Sequence, residues 1–355
     1  MDNLKALKFI EESFLSPLIK DSNVTDISYN GKSIYYLDNF LGRCKSDIQI
    51  DENIARDFIR QLANLSEKQF SYQSPKLDVS IDRFRINAVH PSIARRKNVH
   101  CLTFAIRSAS NEPIITDDST FLNAELVSLF RVLLRSKVSM VIGGLTGSGK
   151  TEFQRYLLRS MPMNTRIIVI DNVLELDNLS LERELDLNIW QSDEKNKEAT
   201  VQELVKNALR SNPDWLIVAE SRGKEMVEVL NSAMTGHPII TTIHSLDINS
   251  MPTRIGRMVL MNEQKQDFDM LMQDIYYNFR FYIYLKREIG EDGLVSRFIE
   301  EVAEIDEKGR KSTIFLRKNG KITLNLIREE VLDHLNYKGD LDFQKYFVEE
   351  RLWIK

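Results

Sequence analysis

The sequence predicts an α/β protein in two parts: a smaller α+β domain, then a mostly parallel sheet with helices on both faces. Three observations predict it. An apolar run at residues 138–142 leads into Gly144-Leu145-Thr146-Gly147-Ser148-Gly149-Lys150-Thr151, with the spacing G-x-x-x-x-G-K-[ST], and a helical pattern follows. Two more apolar runs, 166–171 and 215–220, end in the acids Asp171 and Glu220 and alternate with helical stretches. On either side of this region the pattern shifts to short alternating strands. A chain of 355 residues has room for two cores. The expected division is 1–110 for the α+β domain, 111–122 for a linker and 123–355 for the second domain.

In chain order, Leu4, Leu7, Ile10, Phe14 and Leu18 recur at helical spacing and predict one amphipathic helix over 4–19. Strand patterns at 24–29 and 33–37 flank the turn signal Asn30-Gly31. Asp51 is placed to cap a helix reaching Leu65. Leu77, Val79 and Ile81, then Phe84, Ile86 and Ala88, alternate as the strands of a hairpin do. Residues 108–120, polar and containing a proline, mark the boundary, and a helix over 123–134 leads to the glycine-rich loop. Beyond it the sequence predicts a strand at 166–171, a charged loop at 192–199, a helix at 200–211, a strand at 215–220, a helix at 223–234 and a strand at 238–243. Helices at 251–261 and 264–275 then precede strands near 279–285, 294–305 and 313–316, expected as an antiparallel annex flanking the main sheet. A helix over 341–353 closes the chain.

Composition excludes several classes. The hydrophobic and charged fractions, 43% and 28%, are those of an ordinary globular protein. A formal net charge of −4 argues against a surface built mainly to hold nucleic acid. Cys44 and Cys101 match no metal spacing and are expected as reduced structural thiols. The opening MDNLKALKFIEE is too acidic for a signal peptide, and no apolar run reaches membrane-spanning length.

The chemistry follows from the loop. Glycines at 144, 147 and 149 let successive backbone N–H groups turn toward phosphate oxygens, and the following helix adds the positive end of its dipole. Lys150 is expected to reach the β- and γ-phosphates of ATP, or the β-phosphate of ADP, and the Thr151 hydroxyl to ligate Mg²⁺. Glu220, ending a buried strand, is a candidate to polarise water or hold the metal through its shell, and Glu175 a candidate to do so from the other side. Each has a plainer reading as a helix cap or ion-pair partner. His244 is placed to sense the γ-phosphate and His237 to fix a turn. Arg222 either stabilises phosphoryl charge or binds a neighbouring carboxylate, with Arg210, Arg254 and Arg257 behind it. Residues 83–107 carry six basic residues and no acid. Arg95, Arg96 and Lys97 read equally as a solvated loop. Arg85 and Arg107 fall in strand-like runs where a charge needs a partner, so an anionic ligand is expected there.

Taken in order, VTDISYNG at 24–31, FRINAVHP at 84–91, LTFAIR at 102–107, RSNPDWLIVAESRG at 210–223 and TGHPIITTIHS at 235–245 resemble the secretion-superfamily traffic ATPases. That is the GspE family, which powers type II and type IV secretion and pilus assembly. The resemblance covers nearly the whole chain and is strongest to the VirB-type conjugation and Tad/Flp-pilus (CpaF-like) branch. It implies a RecA-like P-loop domain at the C-terminal side and a cytoplasmic homohexamer, peripheral at the inner face of the membrane, working with an inner-membrane platform protein. Residues Gly144 through Thr151 match the family's phosphate loop, Glu175 its acidic-box glutamate, Glu220 its Walker B glutamate, and His237 and His244 its histidine box. Arg85 and Arg107 match the arginines with which the N-terminal domain helps bind phosphate.

The chain departs from the family at three places. Asp171-Asn172-Val-Leu-Glu175 stands where Glu-Asp-x-x-Glu is usual, Ala219 replaces the glycine before Glu220, and Pro91-Ser92 replaces a Pro-Pro pair. Two other functions fit the residues: a nucleic-acid translocase with the same core, and a nucleotide-binding subunit that hydrolyses weakly.

Overall fold

The computed structural model describes residues 3–109, 113–172, 176, 185–194, 196–262 and 267–325. The chain divides into two units, residues 1–112 with 288–296, and residues 113–287 with 297–355.

In the first unit, α1 (Asn3–Glu11) and α2 (Ser16–Ile19) replace the single helix expected over 4–19. Pro17, in the first turn of α2, has no N–H for a continuing helix, and the Ser13 hydroxyl closes α1 by donating to the Ile10 carbonyl at 2.7 Å. Leu4 consequently stands 78% exposed, off the buried face. The chain continues through β1 (Val24–Tyr29), β2 (Ile34–Asp38), β3 (Gly42–Lys45), α3 (Glu52–Leu65), β4 (Lys76–Ile81), β5 (Phe84–Val89), the two-residue ribbon strands β6 (Arg95–Arg96) and β7 (Val99–His100), and β8 (Thr103–Ser108).

Asp51 caps α3 by accepting from the Ile54 N–H at 2.9 Å. Among the described residues, six strands of this unit form one sheet in the order β3-β2-β1-β8-β5-β4. Its pairings are antiparallel, and alternation puts Leu77, Val79, Ile81, Phe84, Ile86 and Ala88 on the inner face. Phe58 of α3 is the centre of that core, with ring centroids 5.4 Å from Phe9, 5.2 Å from Phe14 and 6.0 Å from Phe104. Residues 288–296 join this unit through Val295, whose N–H donates to the Phe40 carbonyl at 2.6 Å.

From Ala124 the chain runs through α4 (Ala124–Arg135), β9 (Met140–Gly144), α5 (Lys150–Arg159), β10 (Arg166–Asp171), β11 (Asp186–Gln191), α6 (Val201–Ala208), β12 (Trp215–Val218), α7 (Met226–Met234), β13 (Ile239–Ile243), α8 (Ser250–Val259), α9 (Phe268–Asn278), then β14 (Phe281–Ile289), β15 (Val295–Ile305), β16 (Lys311–Lys318) and β17 (Lys321–Leu324). Among the described residues, nine strands form one sheet, β11-β10-β12-β13-β9-β14-β15-β16-β17.

The expected flanking annex is thus corrected: β14 lies parallel to β9, pairing Ile283 with Ile142, and β15 to β17 continue the same sheet. The physical reason is burial, since Phe281 to Leu285 are buried throughout and fit a central strand. Strand β11 was not expected, its alternating Leu187 and Ile189 being only partly buried. Two apolar clusters sandwich the sheet, one built on α4 and α5, the other on α6 to α9. Residues 113–122, expected as linker, pack into the first of these: Ile115, Phe121 and Leu122 are buried, and Asp117 accepts from the Tyr156 hydroxyl at 2.7 Å. The helix expected over 341–353 lies outside the described residues. No helix among those described is long and apolar enough to cross a membrane.

Candidate functional site

Parallel pairing brings the carboxyl ends of the central strands together. Val218 pairs with Ile170 and Thr241, and Ile243 with Gly143, so the residues after β12 and β13 emerge beside the loop after β9. The segment carrying Glu220 is tied down on both sides: the Thr242 hydroxyl donates to the Ala219 carbonyl at 2.7 Å, the Ser221 N–H donates to the Thr242 carbonyl at 2.9 Å, and the Ser221 and Thr241 hydroxyls lie 2.9 Å apart. Ligands of open α/β sheets bind at this edge.

The loop itself needs its glycines. Gly144 has φ +156°, and a Cβ there would stand 2.5 Å from Ser148 Oγ and 2.6 Å from the Leu285 carbonyl oxygen. Gly149, at φ +96°, opens α5 in the left-handed region. Leu145, Thr146 and Gly147 are exposed, while Ser148 and Lys150 are buried.

Lys150 Nζ donates to the Gly144 and Leu145 carbonyls at 2.9 and 3.1 Å and lies 3.4 Å from His244 Nδ1. On the other side of the ring, His244 Nε2 is 3.0 Å from Glu220 Oε1. A neutral imidazole with its proton on Nε2 serves both contacts. The protein favours that form, because burial and then the Lys150 charge push the His244 pKa below its ordinary value, against the pull of Glu220 and the Gly144 backbone. Glu220 is held in the opposite sense. Burial resists its ionisation, but the Arg222 guanidinium, donating to Oε2 at 2.6 Å, outweighs burial with help from His244 and Lys150, so the pKa falls. Lysine, imidazole and carboxylate form one contiguous row, with Arg222 beyond.

Among the described residues, three buried side-chain oxygens of this region have no hydrogen-bond partner: Ser148 Oγ, Gln154 Oε1 and Ser245 Oγ. Orphaned polar atoms cost free energy unless water or a ligand satisfies them, which suits a site that takes a polar guest. The donor set fits a nucleotide with Mg²⁺: loop amides, a lysine and a helix N-terminus for phosphates, hydroxyl and carboxylate oxygens at Thr151 and Glu220 for a hard cation.

Other expected residues fall elsewhere. His237 precedes β13, at the edge of the sheet opposite the loop, where its Nδ1 lies 3.1 Å from the Thr235 hydroxyl. The five residues of β13 separate it from His244, so the two members of the expected histidine box stand at opposite ends of that strand. Arg210 precedes β12 on that same edge. Arg85 and Arg107 pair across β5 and β8, but alternation turns both to the exposed face of the first unit's sheet, where Arg85 Nε is 3.7 Å from Asp78 Oδ1. Both arginines thus lie on the exposed face of that sheet, with Asp78 beside Arg85. Glu175 lies outside the described residues. Asp171 is buried, and its Oδ2 accepts from the Leu176 N–H at 3.3 Å.

Sequence reasoning missed Gln154, Ser245, Arg287 and Arg297. Gln154 carried a signal, a polar residue between Phe153 and Tyr156 on the buried face of α5. The arginines carried none, since they reach the loop from β14 and β15, more than a hundred residues away in the chain.

The model of the family described as Type II/IV secretion system protein matches residues 73–275. An uncharacterized protein of Bacillus anthracis is 29% identical over 335 residues, 90% of this chain and 74% of its own. The type IV secretion system protein VirB11 of Brucella suis is 31% identical over 144 residues, 39% of this chain and 40% of its own. Among solved structures, the X-ray structure of the Legionella pneumophila ATPase DotB is similar with a TM-score of 0.63 at 18% identity, over 96% of this chain and 92% of that one. This likeness concerns the fold, an α/β protein of two domains with a RecA-like P-loop domain.

Proposed function

Because the chain belongs to the type II/IV secretion system protein family, we propose that it is an ATPase that hydrolyses Mg²⁺-ATP to drive secretion or pilus assembly. The observation that carries this reading is the row Lys150, His244, Glu220 beneath a glycine loop, with contacts of 3.4 and 3.0 Å linking its members. Lys150 and the loop amides hold the phosphates, and the Thr151 hydroxyl, with Glu220 through its shell, holds Mg²⁺, which neutralises charge on the phosphoryl oxygens when bound. Glu220, kept ionised by Arg222, orients the attacking water, and His244, kept neutral, donates from Nε2 toward the carboxylate or toward a γ-phosphate oxygen. Arg222 is the candidate for stabilising phosphoryl charge.

A homohexamer working against a membrane platform protein from the cytoplasmic face is the assembly this reading implies. In it, Arg85 and Arg107 supply phosphate contacts from the exposed sheet face, and direct binding of nucleic acid is not part of the function. One observation favours a slower enzyme. Asp171 is already engaged by the Leu176 N–H, and Asn172 carries no charge, so the acidic box supplies less negative charge than the family pattern.

The test is Mg²⁺-ATP turnover of the purified chain against Lys150→Ala and Glu220→Gln, with and without single-stranded DNA. Lys150→Ala is expected to lose nucleotide binding, and Glu220→Gln to bind while turning over about 100-fold more slowly or worse. Turnover indifferent to Lys150→Ala would sink the reading. Strong stimulation by DNA would replace it with a translocase.

A further inference from the structure

The loop is held from two directions. Lys150 engages the carbonyls of its first two residues, Gly144 and Leu145. Arg297, on β15, donates from Nε to the Gly147 carbonyl at 2.8 Å. Its Cδ stands 4.0 Å from the point where a Cβ on Gly149 would lie, and the Cδ of Arg287, on β14, is 3.8 Å from the corresponding point at Gly147. Two arginine stems from neighbouring strands therefore border the exposed middle of the loop.

On the reading of residues 144–151 as a nucleotide-phosphate cradle, we propose that Arg297 is a positioning residue for that cradle, fixing the loop in its phosphate-ready shape through the Gly147 carbonyl. Three glycines at positive φ give the loop its shape and also its freedom, and freedom lost on binding weakens affinity. A planar guanidinium anchored on a strand of the main sheet removes part of that freedom before the nucleotide arrives. The anchor also comes from β15, two strands beyond β9 on the side opposite β13 and β12, whose ends carry His244 and Glu220. It acts on the cradle, and the hydrolytic row is left to its own contacts.

The consequence is a split between binding and turnover. Arg297→Met keeps the stem and removes donor and charge; Arg297→Lys keeps the charge. With the full-length chain, MgADP affinity by calorimetry is expected to fall five- to twentyfold in Arg297→Met and to recover in part in Arg297→Lys. KM for MgATP is expected to rise correspondingly, with kcat at saturation within about twofold of wild type. Amide exchange at residues 144–149 is expected to quicken without nucleotide, at an unchanged melting temperature. Wild-type affinity in Arg297→Met would overturn the proposal, as would a fall in kcat at unchanged KM, which would put Arg297 in the chemical step. Faster exchange spread along β15 with a lowered melting temperature would also overturn it, as the mark of a merely structural residue. A wild-type chain that binds no nucleotide would instead remove the cradle reading itself, a result distinct from any of these.

Discussion

At the residue scale, the environment of His244 is the most directly measurable feature of the site. Burial and Lys150 lower its pKa from 6.5. Its NMR titration midpoint is expected below that value, and in Lys150→Ala it is expected to rise, since one of the two main lowering influences is gone. The linkage has a definite sign. A histidine that resists protonation when folded takes up its proton more readily when unfolded, so its contribution to stability is whole above about pH 6.5 and is lost as pH falls below. A His244→Asn chain should show a flatter fall of melting temperature between pH 7 and 5.5, and an equally steep fall would refute this account. Lys150 and Glu220 were legible as residues because their chemistry is written locally, in a loop spacing and in an acid ending an apolar run. Their bridging by one imidazole was not legible, because register between β9, β12 and β13 decides it.

Caps and breaks decide the elements. Asn123 caps α4 by accepting from the Leu126 N–H at 3.0 Å, and Asn123→Ala should cost about 1 kcal/mol. In a unit of this size that is a fall of about 2–4 °C in melting temperature, measurable by calorimetry. An unchanged transition would mean the helix is held by Leu126, Leu129, Phe130 and Leu133 in the core without its cap. Helices with a cap and an apolar stripe, such as α3 and α4, could be read from the sequence to within a residue. The helix expected over 4–19 could not, because a periodic apolar pattern continues through Pro17 while the backbone hydrogen bonds do not. Strand β11 escaped for the converse reason: it sits at an edge, so little burial marks it.

At the scale of the whole molecule, each unit has its own apolar core, built on Phe58 and its neighbours in one and on both faces of the nine-stranded sheet in the other. Two calorimetric transitions are expected. ADP at about 100 times its Kd should add about 2.7 kcal/mol to the unit that holds the loop. A single transition that moves as a whole would show that the units melt together. Local chemistry alone marked out the nucleotide loop, the acids at strand ends, the alternation of the N-terminal strands and the family likeness, because each rests on residues close in the chain. Tertiary structure alone determined that residues 281–324 extend the main sheet, that His237 and His244 stand at opposite edges of it, that Arg85 and Arg107 face outward, and that Arg297 grips the loop. Each of those depends on strand order and register, and a pairing between distant segments leaves no mark on either segment by itself.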